Sequence, residues 1–201
     1  MKFHENIQSI SEVQPDYMGF IFYPMSPRFV GEAFSAPNIS PHIQMVGVFV
    51  NEEEENILRK SRLLGSDVVQ LHGQESATLC GRLQEQGKTV IKAFAMHPHF
   101  DFELLTPYEH VVDYFLFDTK GKQPGGNAFS FDWSLLKQYH QRIPFFLSGG
   151  LNKHNIAQLN EVLSMNLHAL DINSGAEVSA GLKDKSEVAA IKRWLDDLNN
   201  S

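Results

Sequence analysis

Asp118 closes the hydrophobic run Tyr114-Phe115-Leu116-Phe117. A carboxylate at the end of a buried strand is costly to desolvate unless it has a partner or a task. As a general acid it would need a raised pKa, for which partial burial is one source; from position alone, a loop or helix cap is an equal reading. Two further runs break off in a similar way, Phe145-Phe146-Leu147-Ser148-Gly149-Gly150-Leu151 and Ala169-Leu170-Asp171-Ile172-Asn173-Ser174-Gly175. Each reads as a buried strand ending in small residues, where glycine lets the backbone approach a ligand closely. Side by side, and followed by a short helix start, such loops present backbone N–H groups to a phosphate. The plainer reading makes Gly149, Gly150 and Gly175 tight turns. Arg28, between Pro27 and Phe29, has the planar fork that grips a carboxylate, or is a solvated loop charge. His72 is a ligand contact or a histidine bonded to backbone. His97, His99 and His110 lack a metal-ligand spacing, so no metal is assigned.

These residues need a scaffold that gathers loop ends. Residues 4–14 read as a helix with Ile7, Ile10 and Val13 on one face, followed by strands at 17–22 and 45–50. Asn51 is placed to cap an acidic helix starting at Glu52. Val68–Leu71 reads as a strand, Ser76 opens a helix to about Gln86, and Val90–Ala93 is the next strand. A weak helical stretch at 102–105 precedes the strand ending in Asp118. A glycine-rich loop, Lys120 to Ala128, then leads to a helix near Trp133–Gln141. The two strands with glycine loops follow, and a last helix spans 185–198. Strands and helices alternate at roughly 22 to 30 residues, which signals βα units and a parallel sheet. Seven strands are counted, one fewer than the eight of a closed α/β barrel, and the chain opens on a helix. In such a barrel the loops after the strands form the active face, and the last two bind phosphate.

The totals narrow the function. At 201 residues the chain is expected to form one domain. A formal net charge of −7 argues against nucleic acid as the main partner. No apolar run approaches the roughly 18 residues of a membrane span, and residues 1–5 do not read as a signal peptide. Cys80 is the one cysteine, which excludes an internal disulfide and fits a cytoplasmic location.

The sequence resembles phosphoribosylanthranilate isomerase, the tryptophan-pathway family with a (βα)8 TIM barrel. The motifs are MGFIFYPMSPRFV at 18–30, VGVFVNE at 46–52, DVVQLHGQES at 67–76, LFDTKGKQPGG at 116–126, FDW at 131–133, FFLSGGLN at 145–152, LDINSGAE at 170–177 and GLKD at 181–184. They cover nearly the whole chain in order. The resemblance implies an Amadori rearrangement of N-(5-phosphoribosyl)anthranilate to the carboxyphenylamino-deoxyribulose phosphate, without metal or organic cofactor. A general acid opens the furanose ring by protonating its oxygen, and a general base removes the C2 proton of the Schiff base. Asp118 matches the acid and Arg28 the residue facing the anthranilate carboxylate. His72 and Asp171 match the substrate-binding rim, with Asp171 near the ribose. Gly149, Gly150, Asn173, Ser174 and Gly175 match the phosphate clamp. The implied partner is a small phosphorylated substrate, handled by a monomer or homodimer.

The resemblance departs at the front. The family's base is a cysteine in a Lys-(Val/Ile)-Cys-Gly motif ending the first strand, and Met1-Lys2 align with the residues directly after it. Residues 1–201 are therefore expected to form an N-terminally truncated TIM barrel with seven strands. One expectation is a late start, with the strand and cysteine upstream; the other is a truncated chain with little or no isomerase activity. Weak turnover or poor solubility is expected, with recovery on adding an upstream Lys-x-Cys-Gly segment. Cys80, inside the helix after His72-Gly73, reads as packing and not as a substitute base. Two rival functions are an indole-glycerol-phosphate synthase, whose early-strand lysine and glutamate Lys92 alone does not supply, and a non-catalytic binder of a phosphorylated sugar.

Overall fold

Strands buried on both faces need continuous hydrophobic runs, and the β-branched and aromatic segments of this chain supply them. In the computed structural model, which describes residues 1–118, 133–140 and 142–199, these runs form seven parallel strands. They are β1 (Tyr17–Ile21), β2 (Gln44–Phe49), β3 (Val68–Leu71), β4 (Thr89–Ala95), β5 (Tyr114–Asp118), β6 (Phe145–Ser148) and β7 (Leu167–Asp171). Each pairs with its neighbours in the chain, in the order β1 to β7. This is the wiring of a TIM barrel with seven strands, β1 and β7 being the edges.

Successive side chains point to opposite faces of a strand, and burial divides accordingly. Val46, Val48, Val68, Ile91, Ala93, Leu116 and Phe146 pack into one cluster, with Tyr17, Ile21 and Tyr114 against it. The alternating residues, among them Phe20, Val69, Leu71, Phe115, Phe117 and Phe145, join the larger core under the helices. Near the start of the strands Tyr17 Oη and His168 Nε2 are 2.7 Å apart, linking β1 to β7. Burial, then Tyr114, push the Tyr17 hydroxyl up to about 12, while burial lowers His168. A protonated phenol therefore donates to a neutral imidazole. The rings of Tyr114 and Phe146 lie 4.3 and 5.2 Å from His168.

The helical layer is less regular than its sequence pattern. Helix α1 (His4–Ser11) buries Ile7 and Ile10 and stops short of residue 14, since Gln14 has turned to a positive φ of 55°. Helix α2 (Glu54–Leu64) starts behind Glu53, not at Glu52, and has no side-chain cap. Asn51 instead takes a φ of 50°, and its Oδ1 accepts the Gln74 N–H at 2.7 Å. Its side chain thus holds the loop after β3 and not the helix. Ser76 does cap α3 (Ala77–Glu85), its Oγ accepting from Leu79 N. After β4 and β5 come 3-10 turns, Phe102–Tyr108 and Trp133–Gln138. The first contains Pro107, whose missing N–H and ring disfavour a helix interior. The expected loop at 120–128 and the motif at 131–132 lie outside the described residues.

A further 3-10 turn, Ile156–Leu159, runs into α4 (Asn160–Leu163), and α5 (Lys185–Asn199) closes the chain. Between β7 and α5 sits an antiparallel hairpin, β8 (Glu177–Ser179) and β9 (Leu182–Lys183), turning through Gly181 at φ 83°. Among the described residues no helix is long and apolar enough to cross a membrane.

Candidate active site

Asp118, Ser148 and Asp171 are consecutive register partners across β5, β6 and β7. Adjacent strands lie about 4.8 Å apart, so the three form a row along the carboxyl rim. Asp118 is 5% exposed. His72, just beyond β3, reaches it from the other side, with Nε2 3.3 Å from Oδ2. The Gln70 amide nitrogen lies 2.8 Å from His72 Nδ1. An amide nitrogen only donates, so Nδ1 accepts and the ring proton sits on Nε2, facing the carboxylate. Both ring nitrogens of His72 therefore have protein partners.

The loop carrying His72 is held from below by a buried ion pair. Lys92 Nζ and Glu75 Oε2 are 3.1 Å apart with side chains 2% and 1% exposed. Glu75 accepts the N–H groups of Asn51 and Gly73, and Lys92 donates to the carbonyls of Gly73 and Ala93. Burial pulls the Lys92 ammonium down while Glu75 pushes against the shift. A Cβ on Gly73 would lie 2.4 Å from Asn51 Oδ1 and 2.8 Å from Glu75 Oε1, so a side chain there would displace both from their hydrogen bonds. Cys80 is fully buried in α3, and burial pushes its thiol up to about 11.

The two glycine loops press together. A Cβ on Gly175 would stand 1.9 Å from the Leu151 carbonyl oxygen, so the missing side chain lets the loop after β7 lie against the loop after β6. Gly149 and Gly150 have φ of 102° and 67°, left-handed conformations that suit glycine. Asn155 Nδ2 donates to Gly150 O at 2.9 Å, while its Oδ1 accepts Asn152 N. Among the described residues the N–H groups of Gly150, Ser174 and Gly175 have no protein acceptor. Asn173, beside them, has its Oδ1 and carbonyl both accepting from Lys183 Nζ, at 2.8 and 2.7 Å.

Arg28 reaches the same rim from the loop after β1, but it is not free. Its Nε and Nη2 lie 2.9 and 2.5 Å from Glu177 carboxylate oxygens. Glu177 Oε1 also accepts Gly181 N–H at 3.1 Å and Lys183 Nζ at 3.2 Å. Burial pushes the Glu177 carboxyl up, but Arg28, Lys183 and the Gly181 amide outweigh it and hold it at about 2. Gln70, Glu177 and Lys183 escaped the sequence reading; all three stand inside quoted motifs, where nothing local reveals their partners. Among the described residues no three of His, Cys, Asp and Glu converge to hold a metal ion.

The family model described as N-(5'phosphoribosyl)anthranilate (PRA) isomerase matches residues 1–193. A relative from Phocaeicola vulgatus, named N-(5'-phosphoribosyl)anthranilate isomerase, is 40% identical over 199 residues, covering 98% of this chain and 94% of its own. The phosphoribosyl anthranilate isomerase structure from Thermotoga maritima is 32% identical with a TM-score of 0.82, covering 100% of this chain and 96% of that one. A phosphoribosyl anthranilate isomerase structure in complex with reduced 1-(o-carboxyphenylamino)-1-deoxyribulose 5-phosphate is also 32% identical, with a TM-score of 0.80 over 96% of this chain and 93% of that one.

Proposed function

The chain belongs to the N-(5'-phosphoribosyl)anthranilate isomerase family, and we propose that its rim residues carry the family's Amadori rearrangement in tryptophan biosynthesis. The observation behind this reading is the row Asp118–Ser148–Asp171 with the abutting Gly149–Gly150 and Ser174–Gly175 loops beyond it. Backbone N–H groups of Gly150, Ser174 and Gly175 bind the phosphate dianion. That anchor brings the furanose over the row, with Asp171 at the ribose and Asp118 delivering a proton to the ring oxygen. Opening the ring gives the Schiff base, whose C2 proton passes in this family to a cysteine general base. His72 acts as a positioning residue: its Nε2–H donates to Asp118 and stabilises the carboxylate left once the proton has gone. Arg28 receives the anthranilate carboxylate. Cys80, buried and with a raised pKa, is not the base.

The reading extends to a cytoplasmic protein, monomeric or homodimeric, working on a small phosphorylated metabolite without nucleic acid. Its test pairs calorimetry on the reduced product analogue with turnover of N-(5'-phosphoribosyl)anthranilate. Wild-type protein and Asp118→Asn should bind the analogue alike, with turnover lost in the variant. Failure of both to bind, or equal turnover by both, overturns it.

A further inference from the structure

We propose that Glu177 and Lys183 are positioning residues that set the edge of Arg28 offered to the substrate carboxylate and tie it to the phosphate loop. This rests on the reading that Arg28 meets that carboxylate. A guanidinium has five N–H donors in one plane. Glu177 takes the side edge, through Nε and Nη2. Both N–H groups of Nη1 and the second of Nη2 remain, and one N–H from each of these nitrogens forms the end edge, which binds another carboxylate bidentately. The Arg28 side chain is 21% exposed and that of Glu177 only 4%, so the buried edge is the occupied one.

Lys183 makes this arrangement tolerant of a second anion. The hydrogen-bonded set holds two cations against one carboxylate, so Glu177 does not neutralise Arg28 fully. Lys183 Nζ also donates to Asn173 O and lies 3.4 Å from Ile172 O, the backbone leading into Ser174 and Gly175. Its own backbone is pinned on α1, where Asn6 Oδ1 accepts Lys183 N–H at 2.8 Å and Asn6 Nδ2 donates to Lys183 O at 2.9 Å. One chain of hydrogen bonds thus runs from the carboxylate end of the site to the phosphate end.

The experiment measures dissociation constants by calorimetry for the reduced product analogue, the same molecule lacking its ring carboxylate, and inorganic phosphate. The readout is carboxylate selectivity, the second constant divided by the first, which general loosening of the fold leaves unchanged. Arg28→Met should collapse the ratio. Glu177→Gln should reduce it by about 10- to 100-fold while binding the carboxylate-free analogue almost normally. Lys183→Met should lower the ratio and also weaken inorganic phosphate. If Glu177→Gln does not fold, Glu177→Asp keeps the charge, shortens the reach and must show the same loss of selectivity. Should Arg28→Met collapse the ratio while the Glu177 variants keep or raise it, the positioning role is wrong and the carboxylate reading stands. An unchanged ratio in Arg28→Met removes that reading and the proposal with it.

Discussion

Asp118 and Ser148 are register partners on neighbouring strands, so the proposed proton donor and the first residue of the Gly149–Gly150 loop leave the same rim. A phosphate held by that loop brings its sugar within reach of the carboxylate without any large movement of the scaffold. Removing the acid should then affect chemistry more than binding. Asp118→Asn should lower kcat by about 10²- to 10⁴-fold and leave the analogue's dissociation constant within about threefold, as rapid-quench turnover and calorimetry would show.

Gly175 and Gly150 separate two reasons for glycine. At Gly175 an added methyl meets the Leu151 carbonyl; at Gly150 it meets open space, but at a φ of 67°. Gly175→Ala should force the two loops apart, cost about 1–3 kcal/mol and weaken inorganic phosphate more than tenfold. Gly150→Ala should cost only the left-handed strain of about 1–2 kcal/mol. Thermal melts and phosphate titrations of both variants test the contrast.

Glu177 makes stability depend on acidity in a defined direction. Its carboxyl keeps its charge down to about pH 2 in the folded protein, against an ordinary value of 4.5. Between those values the unfolded chain binds the extra proton, so stability falls as pH drops through the window and is whole above it. The wild-type melting temperature should decline more steeply from pH 5 to pH 2.5 than that of Glu177→Gln. Parallel curves for the two proteins would count against the assignment.

Lys92 and Glu75 illustrate the asymmetry of a buried ion pair. Lys92→Met leaves Glu75 charged and enclosed, and should cost about 3–5 kcal/mol in urea denaturation. Adding Glu75→Leu removes the orphan charge and should restore part of the loss. Because the pair holds the loop of His72, the single variant should also turn over more slowly per folded molecule.

Cys80 offers a clean negative control. Buried and with its thiol raised to about 11, it should resist a disulfide reagent until the protein unfolds, and Cys80→Ala should leave kcat within about twofold. A large fall in kcat with an unchanged melt would show that the thiol takes part in the chemistry.

Why some of this was readable in sequence follows from distance along the chain. Tyr114–Asp118 and Phe145–Ser148 announce themselves because a strand covered on both faces cannot hide its hydrophobic run, and each ends at its functional residue. Asn51 carries the right residue type for a cap, yet its oxygen serves Gln74, 23 residues away. Local capping patterns contain no information about such a partner. Glu177 is harder still, with its guanidinium 149 positions distant. The β8–β9 hairpin is too short for alternation to register. The covering after β4 reads only weakly as helix and contains Pro107, while the helix expected near Trp133–Gln141 is a 3-10 turn over Trp133–Gln138.

Tyr17, Tyr114, Phe146 and His168 close ranks near the start of the strands, the rings of Tyr17 and Phe146 centred 5.2 Å apart. Above them the interior is filled with valine, isoleucine and leucine side chains. Among the described residues the interior is thus plugged beneath the rim, so the loops beyond Asp118, Ser148 and Asp171 form the side from which a ligand meets that row.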